Sequence, residues 1–292
     1  MSSAGIIKSV NWHLISSCNY RCRFCFARNL GEAPVSFDKG VEIIQKLVDL
    51  GMDKINFAGG EPLLHPRLLS YCKVAKEQGM TVSITTNGSL LNKDTIGKMR
   101  GVVDWVALSI DSGSDKIEAQ LGRGYGDHVS HCIRVASIIR NAGIRLKMNT
   151  TVTAPTYQEN MVPLALKIKP DRWKVLQMLH IHGENDDAVE ELAITSDQFN
   201  QFVKNHRHVI LESGESPVFE SSDEIENSYF MITPSGNVKI DTGNVITKFS
   251  LDEVITHGVE HFVSPVKYQN RGGIYEWNQP LNNKIHQTCG DA

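Results

Sequence analysis

No apolar run in this sequence approaches the roughly 18 residues that a membrane span needs, and the start carries no apolar core of a signal or anchor. Charge bias is also missing: 30 Lys and Arg stand against 33 Asp and Glu, for a formal net charge of −3. A chain that coats nucleic acid or a membrane surface shows a global positive excess, so any anionic ligand must here be met by local charge. There is no repeat of 20–50 residues and no low-complexity tract. Disulfide spacing is lacking too. Of six cysteines, three fall together and Cys72, Cys132 and Cys289 lie far apart, which suits a reduced cytosol. Cys72 and Cys132 fall within helical patterns and read as small buried hydrophobes. The expectation is a cytoplasmic, monomeric protein with no nucleic-acid and no membrane partner.

What is present is an alternation. Short β-branched runs at 8–15, 53–58, 80–86, 103–110, 144–152 and 172–179 read as strands. Between them Phe37, Val41, Ile44 and Val48 recur at helical spacing before Gly51, and 70–76 and 133–141 precede Gly79 and Gly143 in the same way. Helix, glycine stop and strand form the αβ-loop signature, and their repetition predicts a parallel sheet with right-handed crossovers. The fold class is α/β, and six units fit a partial (β/α)6 barrel over 1–210. Beyond it, 196–205 reads as a helix, 229–233 and 237–240 as a hairpin across Pro234-Ser235-Gly236, and 251–257 as a short helix. Residues 211–292 are expected as a C-terminal α+β extension over the open side of the barrel. They hold Cys289 alone, so a second metal cluster there is not expected.

The cysteine group is Cys18-Asn19-Tyr20-Arg21-Cys22-Arg23-Phe24-Cys25. A closed zinc site or an ordinary iron–sulfur cluster takes four protein ligands. Three thiolates leave one metal position open to a small molecule, unless His13 or a distant Cys completes a zinc site. This CxxxCxxC spacing, with an aromatic before the last Cys, resembles the radical SAM superfamily. The resemblance implies a [4Fe–4S] cluster on Cys18, Cys22 and Cys25 whose open iron holds S-adenosylmethionine, on a radical SAM barrel. Barrel active sites lie at the C-terminal ends of strands. There the second strand ends in Ala58-Gly59-Gly60-Glu61-Pro62, the third in Thr86-Asn87-Gly88 and the fourth in Ser109-Ile110-Asp111. Gly59, Gly60 and Glu61 resemble the superfamily motif that receives the methionyl amino group. Asn87 and Ser109 match ribose or carboxylate contacts, and the resemblance adds Phe24 and Asn149 to the cofactor site. Without it, Asn87-Gly88 is a turn and Ser109 a strand-end hydroxyl.

Side chains alternate faces along a strand. Asn11 and His13 share one parity, as do Lys54 and Asn56, Ser109 and Asp111, Lys147 and Asn149, and Arg172 and Lys174. The other parity carries Trp12, Leu14, Ile55, Phe57, Val82, Ile84, Leu146 and Met148, suited to lie under helices. If the polar set faces inward, the lumen is wet and cationic. Too few acidic residues share those faces to pair its cations, and burying them alone costs several kcal/mol per ion. A polyanion such as a nucleoside triphosphate would neutralise them. The alternative is that some of these cations point outward into solvent.

Val10-Asn11-Trp12-His13, the cysteine loop, Lys54 through Pro62, Lys147-Met148-Asn149, Arg172-Trp173-Lys174, Ser228-Tyr229 and Arg271-Gly272-Gly273-Ile274-Tyr275-Glu276-Trp277 together resemble the viperin family. The resemblance implies an anti-phage dehydratase that converts a ribonucleoside triphosphate to its chain-terminating 3′-deoxy-3′,4′-didehydro analogue. In that family a 5′-deoxyadenosyl radical takes the C4′ hydrogen, the 3′-hydroxyl leaves as water, and an external one-electron reductant closes the cycle. It implies Lys54, Lys147, Arg172, Lys174, Lys248 and Arg271 as triphosphate contacts, Asn11 and His13 near the ribose, and Tyr229 as a hydrogen relay. Three departures stand out: no amphipathic helix at the start, an end in Cys-Gly-Asp-Ala rather than Trp, and Ile274 where a polar residue is usual. A radical SAM enzyme acting on another anionic substrate and a non-enzymatic cluster protein are the competing readings.

Overall fold

The structure, a computed structural model, describes residues 5–28 and 30–277. Cys289 and the terminal Cys-Gly-Asp-Ala lie outside the described residues. Six strands, β1 (Ser9–His13), β2 (Lys54–Ala58), β3 (Thr81–Thr86), β4 (Trp105–Ser109), β5 (Arg145–Val152) and β6 (Arg172–Gln177), pair in parallel in chain order. Helices α1 (Phe37–Asp49), α2 (Leu68–Glu77) and α3 (Lys93–Met99) cross between the first four strands. After β4 come α4 (Asp115–Gln120) and α5 (His128–Asn141), and α6 (Val162–Ile168) joins β5 to β6. Local chemistry sets these ends. The Ser36 hydroxyl caps α1 by accepting from Lys39 N, and Gly51 at φ +79° lets the chain turn into β2. Asn92 and Thr95 form a capping box on α3. Helices α3, α4 and α6 were not foreseen because each has only six or seven residues, too few for a 3.6-residue period to register.

The parity expectation holds. Trp12, Leu14, Ile55, Phe57, Val82, Ile84, Leu146 and Met148 are each at most 2% exposed and belong to one core between sheet and helices. Burying such side chains contributes roughly 1.5–3 kcal/mol apiece, and this core carries the barrel.

Past β6 run α7 (Val189–Leu192), α8 (Ser196–His206), β7 (Val218–Glu220), α9 (Ser222–Ile225), β8 (Met231–Ile232), β9 (Val238–Thr242), β10 (Val245–Phe249), α10 (Leu251–His257) and α11 (Pro265–Asn270). The expected hairpin is β8–β9, and the helices expected at 196–205 and 251–257 are α8 and α10. Rather than forming a separate layer, these strands enlarge the sheet, whose order is β10-β9-β8-β1-β2-β3-β4-β5-β6-β7. Strand β7 lies parallel to β6 and β8 parallel to β1. The reason is the edge: β1 and β6 would otherwise present unpaired backbone groups. The later residues thus reach the strand ends from both sides of the sheet.

Trp12 joins the two parts, since its indole sits in the core and its Nε1 donates to the Thr233 carbonyl at 3.2 Å, beyond β8. Trp12→Ala is expected to lose about 3–5 kcal/mol of unfolding free energy. Urea denaturation checks it, and a loss under 1 kcal/mol would contradict this role for the core.

Candidate active site

A cavity of about 730 Å³ runs along the inner face of the parallel strands, from residues at their starts such as Ser9, Lys54 and Arg172 to the loops at their C-terminal ends. One end is the cysteine loop. As β1 ends, Leu14 N donates to the Ala58 carbonyl at 2.9 Å, Gly60 N to Ile15 O at 2.6 Å, and Glu61 N to Ser17 O at 2.9 Å. Only glycine fits here. A Cβ on Gly60 would lie 2.2 Å from Ser17 O, and one on Gly59 2.5 Å from Ile15 O with φ at +152°. Arg21 N and Arg23 N donate to the carbonyls of Gly122 and Leu121, and Asn185 Nδ2 donates to the Phe24 carbonyl at 3.0 Å. Cys18, Cys22 and Cys25 are all free thiols on the cavity wall. Burial pushes the Cys22 thiol up to about 12 and raises that of Cys25, so ionising them together calls for bound positive charge.

Among the described residues, the one triad of His, Cys, Asp or Glu whose ligand atoms all fall within 4.8 Å is His180, His182 and Asp186, not the three cysteines. Asn149 Oδ1 on the same wall is buried without a hydrogen-bond partner, as a ligand-binding acceptor would be. These residues fit the cluster and S-adenosylmethionine.

The other end is cationic. Lys54, Arg172 and Arg271 are at most 6% exposed, and Lys147 and Lys174 are half-buried beside them. Tyr275 sits among them: Lys54 donates to its hydroxyl, Lys147 Nζ does so at 3.0 Å, and the Arg172 guanidinium lies 3.8 Å from its ring centroid. Arg172 also donates to the Gly272 carbonyl at 2.8 Å.

The residues at 12–167 match the radical SAM superfamily. A nucleotide dehydratase dependent on S-adenosylmethionine, from a Thermoplasmatales archaeon, is 36% identical over 270 residues, spanning 92% of this chain and 96% of that one. One of the same name from Flammeovirga pacifica is 34% identical, over 95% of this chain and 98% of its own. The chain belongs to the viperin-like radical SAM nucleotide dehydratases. The S-adenosylmethionine-bound SuiB of Streptococcus suis shares the fold at TM-score 0.66 and 18% identity, over 90% of this chain and 67% of its own.

Several expected site residues of this family member meet in the cavity. Gly59, Gly60, Phe24, Asn87, Ser109, Asn149, Asn11, His13, Tyr229 and the cations other than Lys248 all line it. Asn87 Nδ2 donates to Asn19 Oδ1 at 2.9 Å and approaches Cys18 Sγ at 3.9 Å. Asn11 Oδ1 accepts from Asn56 Nδ2 at 2.9 Å. Burial, with Lys239 nearby, lowers His13 to about 3, so it is neutral. Two expected residues lie elsewhere. Glu61 is fully buried off the cavity and accepts from Thr86 Oγ1 at 2.7 Å and Asn87 N at 2.8 Å, tying β2 to β3. Lys248, on β10, pairs with Glu32 and does not line the cavity.

Three important residues were missed. Glu220 ends β7 with no exposure and pairs with Lys174 at 2.6 Å, so the expectation of unpaired cations needs correcting for this one carboxylate. A three-residue strand gives no alternation to read. Tyr275 lay inside the recognised motif without a role. Arg123, buried against Asp111 at 2.5 Å and lining the cavity near Cys22, comes from a glycine-rich loop with no periodic signal.

Two outcomes are expected. Gly60→Ala should displace the cysteine loop and cut iron bound after anaerobic reconstitution severalfold, and normal iron loading would contradict the close approach. Burial, with neighbouring cations, lowers Lys54, Lys147 and Lys174 from 10.5 to about 7. Between those values the unfolded chain holds more protons, so stability rises with pH there. A polyanion raises the lysines again, so its affinity falls over the same range and binding takes up protons. Calorimetry at pH 8 in two buffers of different protonation enthalpy measures that uptake, and none would contradict the burial argument.

Proposed function

We propose that this enzyme dehydrates a ribonucleoside triphosphate to its 3′-deoxy-3′,4′-didehydro analogue. One observation carries the reading: Lys54, Lys147, Arg172, Lys174 and Arg271, faced by the carboxylate of Glu220, share a cavity with the three cysteines. The excess of positive charge suits a triphosphate, and charge-assisted hydrogen bonds to it would replace the Tyr275 hydroxyl as partner. When bound, the cluster and S-adenosylmethionine supply a hydrogen-abstracting radical. Cys18, Cys22 and Cys25 hold the cluster, while Gly59, Gly60, Asn87, Ser109 and Asn149 receive the methionyl and ribosyl groups.

The substrate loses its C4′ hydrogen atom. Its 3′-hydroxyl then takes a proton and leaves as water, and one electron from an external reductant completes the C3′–C4′ double bond. Tyr229 is set to pass on that proton and electron together as one hydrogen atom, after which the external reductant and a proton restore its phenol. Its hydroxyl donates to Glu220 Oε2 and accepts from Lys174 Nζ, both at 2.5 Å, and Arg271 lies 3.7 Å over its ring. Burial and the Glu220 charge raise its phenol well above the usual range, so it keeps its hydrogen at working pH. Residues 1–210 act as the cofactor-bearing unit and also carry Lys54, Lys147, Arg172 and Lys174, and 211–292 cover the nucleotide site and add Glu220, Tyr229 and Arg271, in a monomer. The free thiols suit a reducing compartment such as the cytoplasm. The product lacks a 3′-hydroxyl and ends any RNA it enters, which fits a defence role.

The test is an anaerobic assay with reductant, S-adenosylmethionine and each of the four ribonucleoside triphosphates, read by mass spectrometry. A product one water lighter than its substrate is expected, falling at least tenfold in Lys147→Ala and in Tyr229→Phe. Release of 5′-deoxyadenosine at the same rate with and without nucleotide would refute the proposal.

A further inference from the structure

The cavity has a third wall that neither the cofactor nor the triphosphate uses. In sheet order, the strand bearing Asn11 and His13 lies between the lysine-bearing β2 and the added strands β8 and β9. Along β9, Val238 and Ile240 enter the core, so Lys239 and Asp241 take the opposite face. Asp241 lines the cavity and is 5% exposed. Its Oδ1 stands 3.5 Å from Lys239 Nζ yet has no hydrogen-bond partner. Lys239 itself is 1% exposed and donates to the Phe26 carbonyl, so it stands behind the carboxylate as a fixed countercharge. His13, 5% exposed on the same wall, also has a buried Nδ1 without a partner. Asp241 Oδ1, which meets Lys239 only as a 3.5 Å ion pair, and His13 Nδ1 are buried atoms without a hydrogen bond on residues of one cavity wall, and a ligand with matching polar edges would satisfy them.

Burial raises the Asp241 carboxyl above its usual value, and the Lys239 ammonium opposes this in favour of the charged form. A charged carboxylate only accepts hydrogen bonds, whereas a neutral imidazole offers one N–H and one acceptor. Cytosine presents an amino donor next to a ring-nitrogen acceptor. Uracil places a carbonyl oxygen where that amino group would be, facing the carboxylate with no proton between them. We propose that Asp241 and His13 read the base of the nucleotide, and that Asp241 makes the site select cytidine over uridine triphosphate. This rests on the nucleotide reading above and adds the identity of the base. Asp241 is thus a specificity residue, and Lys239 is a positioning residue that holds its charge.

Asparagine keeps the shape of aspartate but offers either a donor or an acceptor, so Asp241→Asn should admit both pyrimidines. Titration calorimetry of CTP and of UTP into the wild-type protein should give CTP the lower Kd by about tenfold or more, the usual discrimination of one well-made base contact. In Asp241→Asn the two Kd values should converge to within about threefold. Asp241→Ser also removes the carboxylate and should likewise lose the CTP advantage, with S-adenosylmethionine binding measured on the same sample to show that the site is intact. The product ratio in a CTP-plus-UTP competition should move in parallel. Equal or tighter UTP binding by the wild type overturns the proposal, as does a CTP advantage that persists in both variants. If nucleotides are dehydrated without this preference, only the base assignment falls. If none of the four is bound or dehydrated, the nucleotide reading falls with it.

Discussion

Positive charge buried without matching negative charge is the constraint around which this molecule is arranged. Lys54, Lys147, Arg172, Lys174 and Arg271 converge on one end of a cavity where Glu220 is the carboxylate that meets them. Isolated ions in such a place cost several kcal/mol each, and the protein offsets this only in part. The Tyr275 hydroxyl accepts from two lysines, the faces of Tyr229 and Tyr275 lie against arginines, and lysine pKa values fall toward neutrality. The apolar core on the other side of the sheet supplies the stability that tolerates this arrangement. Binding chemistry and folding are separated by strand parity alone.

That separation also explains why the two functional ends meet. Inward side chains all along the strands face one space, so the loop that follows β1 and the cations near the starts of β2, β5 and β6 line one cavity whatever their distance in sequence. The cysteine loop is fixed further by backbone pairing with 58–61, where side chains have no room. The added strands then complete the wall by satisfying the two sheet edges, and bring Glu220 and Asp241 with them.

How much of this could be read beforehand depended on length and repetition. The alternation of Trp12 and Leu14 with Asn11 and His13, or of Leu146 and Met148 with Lys147 and Asn149, declared both the sheet and its faces. Gly51, Gly79 and Gly143 marked helix ends because only glycine takes that backbone without strain. Glu220 was hidden because β7 has three residues, and the place of β8 beside β1 because it has two. Glu61 and Lys248 were assigned through resemblance. Nothing in their local sequence shows that one bonds to Thr86 and Asn87 and the other reaches Glu32 across the surface.

An amine that gives up its proton near pH 7 becomes a nucleophile. Most surface lysines are protonated at that pH and react slowly with acylating or Schiff-base-forming reagents. Lys54, Lys147 and Lys174, with pKa values near 7, offer a large unprotonated fraction inside a cavity of about 730 Å³. The same desolvation that lowers their pKa values therefore leaves them chemically reactive whenever no anion covers them. Small aldehydes and activated esters that enter the cavity meet these amines in their reactive form, and any anion bound over them acts as a protecting group.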